Sequence, residues 1–290
     1  MTPREAPASP VAEARVVLRD RSTPDVLDLA LRFLARHRVP FAKVGLVVLL
    51  PGIALTAAVG ATFGWGLAWL VAIVLGLVAQ APFTELGSRL VFERDVRVRD
   101  VLRSALGRAP RVVLVRGVQL AAIAVASLFF FVPGLLVAAV LFFVGEVVLL
   151  ERVPLGASLS RLQRLVSGGA GEAALGFLLL LLLHAVCTIM GDVCGRAVLT
   201  DLLSWTAPEP AWEHGGSLLA ACGFWLFVPF AALARFFLYL NVRTRAEGWD
   251  IQTRFAAIAR RAEAEADEAA TATATATAPR AAEQTQRRVA

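Results

Sequence analysis

Four ionisable residues inside long apolar stretches are the side chains of this sequence best placed to do chemistry. They are Glu85, Arg116, Glu146 and Arg235. A lone charge at the centre of a bilayer costs roughly 2.5–3.5 kcal/mol on insertion scales, so such residues are expected to pair inside a protein or to line a polar path. Counting along the apolar stretches places all four at a similar depth, near one surface of a membrane. The sequence therefore predicts an intramembrane cluster of two acids and two bases.

Two roles fit such a charge cluster. It could pass protons or anions along as a relay, or it could clamp helices together while Arg116 and Arg235 extend their charged groups toward lipid headgroups. A relay would have to continue to the opposite surface, where the sequence offers only His184, Asp192, the mid-depth Gln119 and hydroxyl groups. The structural clamp is therefore the favoured interpretation.

The other polar residues of the apolar stretches form no catalytic pattern. His184 lies in a leucine-rich run and is typical of a hydrogen-bonded residue inside a helix bundle. The four-residue spacing of Asp192 and Arg196 predicts an ordinary helical ion pair. No Gly-x-Ser-x-Gly elbow, His-Glu-x-x-His pair, phosphate-binding glycine loop or EF-hand loop is present in the sequence. We predict no catalytic residue, no cofactor and no metal site, and the sequence weighs against an enzyme without deciding the question.

A second group of candidate residues follows the last apolar stretch. If the helix continues there, Arg243, Glu247, Asp250 and Arg254 fall on one stripe, with Arg245 beside them. Their spacing allows two ion pairs of about 0.2–0.5 kcal/mol each. The stripe is typical of a juxtamembrane helix lying in the membrane interface, and the alternative is a docking stripe for a partner protein.

Six apolar stretches supply the helices that position these residues. The chain has 290 residues, of which 58% are hydrophobic, and each stretch is near the ~20 residues with which a helix crosses the hydrocarbon core. A single helix over 117–150 would be too long for one crossing, and Val132-Pro133-Gly134 supplies a break. The sequence predicts an all-α polytopic helix bundle with spans at about 41–60, 64–85, 112–131, 134–150, 172–191 and 217–240.

The distribution of basic residues along the chain predicts on which side of the membrane each connection lies. Of the 29 basic residues, 26 lie before the first span, in or close to every second connection, or after the last span; the exceptions are Lys43, Arg196 and Arg235. The positive-inside rule then places both termini in the cytoplasm of a bacterial inner membrane. Attraction to anionic lipids explains the net charge of +6 better than nucleic-acid binding does. The predicted parts are a disordered N-terminus at 1–22, a six-span membrane domain at 23–261 and a disordered low-complexity tail at 262–290.

A short pattern repeats on the basic side of the predicted membrane. Asp-Val-Leu-x-x-Ala-Leu occurs at 25–31 and again at 100–106, and a degenerate copy lies at 155–159. The first copy has the periodicity of an amphipathic helix, with Ser22 placed to cap it and Asp25 in its first turn. Its apolar face is predicted to hold Val26, Leu27, Ala30, Leu31 and Leu34. We predict three units, each an amphipathic interfacial helix on the cytoplasmic side followed by a helical hairpin.

Three short motifs give the chain a family resemblance. They are the amphipathic stretch before the first span, Glu151 at the end of the fourth span followed by Ser160-Arg161, and Tyr-x-x-x-Arg-x-Arg-x-Glu-Gly-x-Asp at 239–250. Over about 22–258 the chain resembles bacterial six-span proteins related to the membrane domain of glycerophosphoryl diester phosphodiesterase. Such relatives often have Asp where this chain has Asn241. The catalytic barrel is absent from the sequence, so the resemblance implies a membrane module and not phosphodiesterase activity.

These observations predict an integral membrane protein that acts as a scaffold or partner-binding module. Its expected partners are membrane lipids or another membrane protein, with no nucleic acid. The alternative function is a small transporter or a lipid-handling membrane protein, and an intramembrane enzyme comes third.

Overall fold

A computed structural model shows an all-helical protein over the residues that it describes, 21–93, 96–129, 131–150, 160 and 170–246. The disorder predicted for 262–290, that predicted for 1–22 except at its last two residues, and the third copy of the repeat lie outside these residues. The helices are α1 (Thr23–Arg36), α2 (Arg38–Phe63), α3 (Trp65–Phe92), α4 (Val98–Phe129), α5 (Phe131–Val140), α6 (Val144–Leu150), α7 (Ala170–Ala197, continued by a π-helical turn at Val198–Leu202), α8 (Ala211–His214) and α9 (Leu218–Ala246).

Six helical segments are long and apolar enough to cross a membrane, which confirms the predicted number of spans. They are Arg38–Phe63, Trp65–Phe92, Val98–Leu128, Val132–Leu149, Gly171–Leu202 and Leu218–Thr244. We call the end that holds α1 and the last turns of α9 the arginine-rich end, and the end that holds Trp65 and Gly215 the opposite end. The protein is therefore a multi-pass membrane protein in which the spans alternate in direction between these two ends.

The last span, α9, is the central helix of the bundle. It packs against α1, α2, α3 and α7. Among the 18 most apolar consecutive residues of α9, 67% are buried inside the protein. In the other five spans this buried share lies between 17% and 50%. Polar side chains on α9 are thus surrounded by other helices and not by lipid.

Small residues let the neighbouring helices approach α9 closely. A Cβ atom added at Gly191 of α7 would lie 2.6 Å from the Cα atom of Gly223 in α9, which real side chains essentially never do. On the other side of α9, the ring of Trp225 covers Gly52 of α2, and its Nε1 donates a hydrogen bond to Thr56 Oγ1 at 3.0 Å. Such close approach replaces the hydrophobic effect, which does not drive helices together within lipid.

Tryptophan placement departs in one case from the aromatic belt that apolar stretches usually carry at membrane interfaces. Trp205 and Trp212, in the segment before α9, are exposed, as the belt requires. Trp225 is instead fully buried against α2, because only a glycine opposite it leaves room for an indole between the two helices.

The first copy of the repeat forms the predicted separate helix. Ser22 is the N-cap of α1, and its Oγ accepts a hydrogen bond from the amide of Asp25 at 3.4 Å. Val26, Ala30 and Phe33 are buried, and Phe33 packs edge-on against Phe237 of α9. Leu31, which the periodicity placed on the buried face, is exposed. The predicted helix is confirmed, with its buried face turned slightly from the predicted one.

The second copy of the repeat does not form a helix of its own. It is the first part of α4, which runs without interruption from Val98 to Phe129. At about 1.5 Å per residue its 32 residues reach about 48 Å, so α4 projects beyond the ~30 Å hydrocarbon core at the arginine-rich end. The repeat therefore has one helix that turns before the membrane and one that continues into it.

The fourth span is broken near its middle. Val132-Pro133-Gly134, predicted to connect the third and fourth spans, lies instead within α5, which starts at Phe131, and α4 ends at Phe129. A second interruption, which the sequence did not predict, separates α5 from α6 at 141–143. Backbone that leaves the helix at membrane depth must be buried in protein or line a cavity, because lipid offers no hydrogen bonds.

Close contact between α7 and α9 gives a direct test of this packing. Gly223→Ala would place a Cβ atom 2.9 Å from the Cα atom of Gly191, and we expect it to lower the free energy of unfolding by about 1–3 kcal/mol through overpacking. Gly117→Ala on α4, where a Cβ atom meets nothing within 4 Å, is the control and should change it by less than about 1 kcal/mol. Denaturation of the purified protein in detergent measures both, and equal effects of the two variants would contradict the packing.

Candidate functional site

A buried ion pair joins the central helix to the broken fourth span. Arg235 of α9 donates a hydrogen bond from Nε to Oε1 of Glu146 at 2.6 Å. Glu146 is completely buried and Arg235 is 5% exposed. The pair brings together two of the four predicted cluster residues. In surroundings of low dielectric, each charge holds the other in place, because either one alone would be buried without compensation.

A third member of the predicted cluster, Arg116 of α4, lies close enough to both residues of this pair to interact with them electrostatically. Its Nη1 donates to Oε1 of Gln119 at 2.6 Å. Its guanidinium also rests against Gly145, where a Cβ atom would collide with it. We call Arg116, Glu146 and Arg235 the charge triad. Its formal charges leave one positive charge uncompensated within the triad.

The fourth predicted member, Glu85, does not belong to the triad. Its carboxylate accepts hydrogen bonds from Arg89 Nη2 at 2.9 Å, from Ser104 Oγ at 3.2 Å and from Arg108 Nη1 at 2.5 Å. These residues tie α3 to the projecting part of α4 at the arginine-rich end. Depth along the sequence was similar for the four charges, but Glu85 has its own arginine one helical turn away at i+4, and that spacing is the signal that was overlooked.

Gln119 donates a hydrogen bond to the backbone at the point where the fourth span is broken. Arginine can only donate, so the amide of Gln119 must turn Oε1 toward Arg116, and its Nε2 then donates to the carbonyl oxygen of Leu141 at 3.1 Å. Leu141 is the first residue after α5. The same carbonyl also accepts from the amide of Val144 at 3.1 Å. Gln119 therefore adds a second hydrogen bond at the break and links the break to the charge triad.

A cavity of about 590 Å³ lies beside the triad, inside the membrane-spanning part of the bundle. Residues of five helices line it, α3, α4, α5, α7 and α9. Its wall is mostly apolar, and Gln80, Gln119 and Arg235 supply polar groups at one end. A mostly apolar cavity with a few convergent polar groups is the usual form of a site for a small molecule.

Gln80 of α3 is the functional candidate that the sequence reading missed. It lines the cavity and is 7% exposed, yet its Oε1 has no hydrogen-bond partner in the part of the chain that the structure describes. Buried amide oxygens are nearly always satisfied, because leaving one unpaired costs about 1–3 kcal/mol. The available signal was a single glutamine within the apolar run of α3, which carries no charge to draw attention to it.

The cavity wall also contains the intramembrane histidine. His184 of α7 donates from Nε2 to the carbonyl oxygen of Phe224 at 3.1 Å and packs on the rings of Phe224 and Phe227. Donation to a carbonyl requires the proton on Nε2, so the imidazole is held in one tautomer. The prediction of a hydrogen-bonded bundle residue is confirmed.

Asp192 does not form the ion pair that its spacing from Arg196 predicted. Its carboxylate accepts from Ser217 Oγ and from the amide of Ala211 at 3.1 Å, while Arg196 donates to the carbonyl of Pro208. Ser217 in turn accepts from the amide of Ala220 at 3.0 Å and caps α9. Tertiary contacts outweigh the local pair because a buried carboxylate gains more from two fixed donors than from an exposed guanidinium.

The predicted juxtamembrane stripe is described only in its first residues. Helix α9 continues through Ala246, so Arg243 and Arg245 lie on it as the prediction requires. Glu247, Asp250 and Arg254 lie outside the described residues. The docking stripe therefore stays a prediction.

One further grouping of polar side chains lies at the opposite end. Glu209, Glu213 and His214 bring one ligand atom each within 4.8 Å of one another on the protein surface. His214 lies 3.2 Å from Glu209, as in an ordinary surface contact. All three residues are exposed, and exposed acidic groups commonly approach one another without binding an ion.

No protein-family model, curated protein or solved structure matches this chain. The resemblance to the membrane domain of glycerophosphoryl diester phosphodiesterase therefore stays a prediction.

The charge triad predicts unequal costs for removing its members. Glu146→Gln leaves two guanidinium groups buried without an acid, and we expect a loss of about 3–5 kcal/mol in the free energy of unfolding. Arg235→Gln should cost less, because Glu146 keeps Arg116 as a neighbour. Unfolding of the two variants and the wild type in one detergent measures the order. An Arg235→Gln variant less stable than Glu146→Gln would show that Arg116 does not share the acid.

Proposed function

We propose that this protein is a lipid-handling membrane protein that binds a lipid molecule in the cavity between α3, α4, α5, α7 and α9. The observation that carries the proposal is the buried, unpartnered Oε1 of Gln80 in the wall of a mostly apolar cavity. An apolar wall selects a hydrocarbon ligand, and a polar end selects one with a polar group. Membrane lipids have both parts and surround the protein at high concentration.

Lateral access to the cavity supports this proposal. Ile73 of α3 and Leu181 and Ile189 of α7 line the cavity and are also 44%, 49% and 57% exposed. These residues lie within membrane spans, where the exposed surface meets lipid. Helices α3 and α7 do not pack on each other, although both pack on α9. A lipid can therefore enter from the bilayer between them without crossing water.

The lipid-handling alternative thus takes the place of the scaffold as the better supported function. The scaffold prediction rests on the docking stripe, of which most residues lie outside the described part of the chain. A relay finds less support than a binding site, because two of the four predicted charges bind each other directly while Glu85 pairs with Arg89 and Arg108. The described residues of the cavity point to a ligand that is held, with its polar part at the triad.

We also propose that the membrane is a bacterial cytoplasmic membrane and that the arginine-rich end faces the cytoplasm. The supporting observation is the placement of the basic residues, of which all but Lys43, Arg196 and Arg235 lie before the first span, in or close to alternate connections, or after the last span. Basic residues near span ends are retained on the cytoplasmic side during insertion.

Filling the cavity tests the lipid site. Ala185→Trp places an indole in the cavity wall, and Val186→Trp places one on the same helix at an exposed position that does not line the cavity. We expect the fraction of protein carrying a lipid, measured by native mass spectrometry after mild extraction, to fall several-fold in Ala185→Trp and to stay unchanged in Val186→Trp. A wild-type protein without bound lipid, or equal loss in both variants, would refute the site.

Accessibility labelling tests the orientation. In a variant without native cysteines, Arg32→Cys on the exposed side of α1 and Trp205→Cys at the opposite end are compared. A maleimide that cannot cross membranes should label position 205 on intact cells and position 32 only after the cells are opened. Labelling of both positions on intact cells, or the reverse order, would contradict the proposed orientation.

A further inference from the structure

We infer that the bound lipid has a single hydrocarbon chain and a small anionic headgroup, and that Arg235 and Gln80 bind this headgroup. The inference rests on the proposed function, since it names the chemical class of the ligand for the same cavity. Three independent observations carry it, namely the charge of the triad, the unpartnered amide and the volume of the cavity.

The charge triad requires an anion more than any neutral group. Two guanidinium groups face one carboxylate within it, and arginine stays protonated in proteins. A buried charge that is not balanced is costly to keep away from water. Of the two arginines, Arg235 lies in the cavity wall, and its hydrogen bond to Glu146 uses Nε. A carboxylate or phosphate oxygen in the cavity would supply the missing negative charge next to this guanidinium.

The amide of Gln80 completes the headgroup site from the facing helix. It carries two N–H donors beside the unpartnered Oε1, and the terminal torsion of a glutamine side chain is broad, so a half-turn aims the donors at an anion. The free Oε1 can instead accept from a hydroxyl of the headgroup. An unpaired buried amide becomes satisfied in either orientation, and a purely hydrocarbon ligand would satisfy neither.

The size and shape of the cavity limit the ligand to one chain. At about 30 Å³ for each non-hydrogen atom, close to the volume of a water molecule in the liquid, the 590 Å³ of the cavity hold about 20 such atoms. This is about the size of one acyl chain with a small headgroup. Trp69 lines the cavity eleven residues before Gln80 on α3, about 16 Å along the helix. The chain therefore extends from the headgroup toward Trp69 at the opposite end.

Fluorescence of Trp69 provides the measurement. The full-length protein is placed in nanodiscs of zwitterionic phosphatidylcholine and titrated with a fatty acid that carries bromine atoms on its chain, which quench tryptophan on contact. We expect saturable quenching that is lost in Trp69→Phe, and a brominated fatty alcohol of equal length should need at least about a tenfold higher concentration, because it lacks the charge-assisted hydrogen bond. A brominated alkyl phosphate should quench as the acid does.

Two variants separate headgroup binding from folding. Gln80→Leu removes an unpartnered polar group, so the protein should fold at least as well as the wild type while its preference for the acid over the alcohol falls. Arg235→Lys keeps the charge and should retain part of the preference, whereas Arg235→Gln should abolish it. Unchanged preference in Gln80→Leu and Arg235→Gln would overturn the assignment of the headgroup site.

The outcomes also distinguish this inference from the proposed function. Equal quenching of Trp69 by acid and alcohol would overturn the anionic headgroup, and quenching by brominated phosphatidylcholine in place of both would overturn the single chain. Either result would leave a lipid-binding cavity in place. Absence of any quenching that depends on Trp69, together with absence of a co-purified lipid, would overturn both proposals.

Discussion

The contact between Arg235 and Glu146 is the interaction on which the rest of the structure depends. It joins the central helix to α6, and both side chains are almost completely buried. Hydrocarbon cannot hydrogen-bond a charged group, so the two residues depend on partners inside the bundle, and Oε2 of Glu146 has no partner among the described residues. The partner of Arg235 lies on the short helix α6, and the pair thereby fixes where the fourth span resumes after its break. Moving either residue would move the wall of the cavity.

A chain of polar contacts carries this constraint from the ion pair to the backbone. Arg116 is held between Gln119 and the bare surface at Gly145, and Gln119 in turn satisfies the carbonyl of Leu141. Because this carbonyl has a partner, the helix can end at membrane depth and leave a concave wall instead of a continuous rod. Gln119 thereby connects the break, the cavity wall and the charge triad.

Those parts of the fold that depend on composition could be predicted from the sequence, and those that depend on the rotation of a helix about its axis could not. Six spans and a capped α1 follow from apolar length and from Ser22 before a periodic stretch. Depth along each span was also readable, which is why Arg235 and Glu146 were placed together correctly. The same count grouped Glu85 with them, since apolar spans have almost no polar face to show which way a given side chain points. The site depends most on the break at 141–143, and no proline or charge marks it in the sequence, while one of its hydrogen bonds comes from a residue 22 positions earlier.

The clamp and the binding site need not be alternatives. A clamp alone would be best served by one acid for each base, as in the group at Glu85, or by apolar residues of similar volume, which often replace a buried pair without loss of stability. The triad instead keeps a second arginine, and it lies next to a cavity whose wall also holds Gln80, the Oε1 of which has no partner among the described residues. The second arginine and the unpartnered oxygen of Gln80 each lower the stability of the fold, and the proposed anionic ligand would provide partners for both. Polar groups that destabilise a fold and converge on one cavity are expected where residue types are set by ligand binding and not by packing.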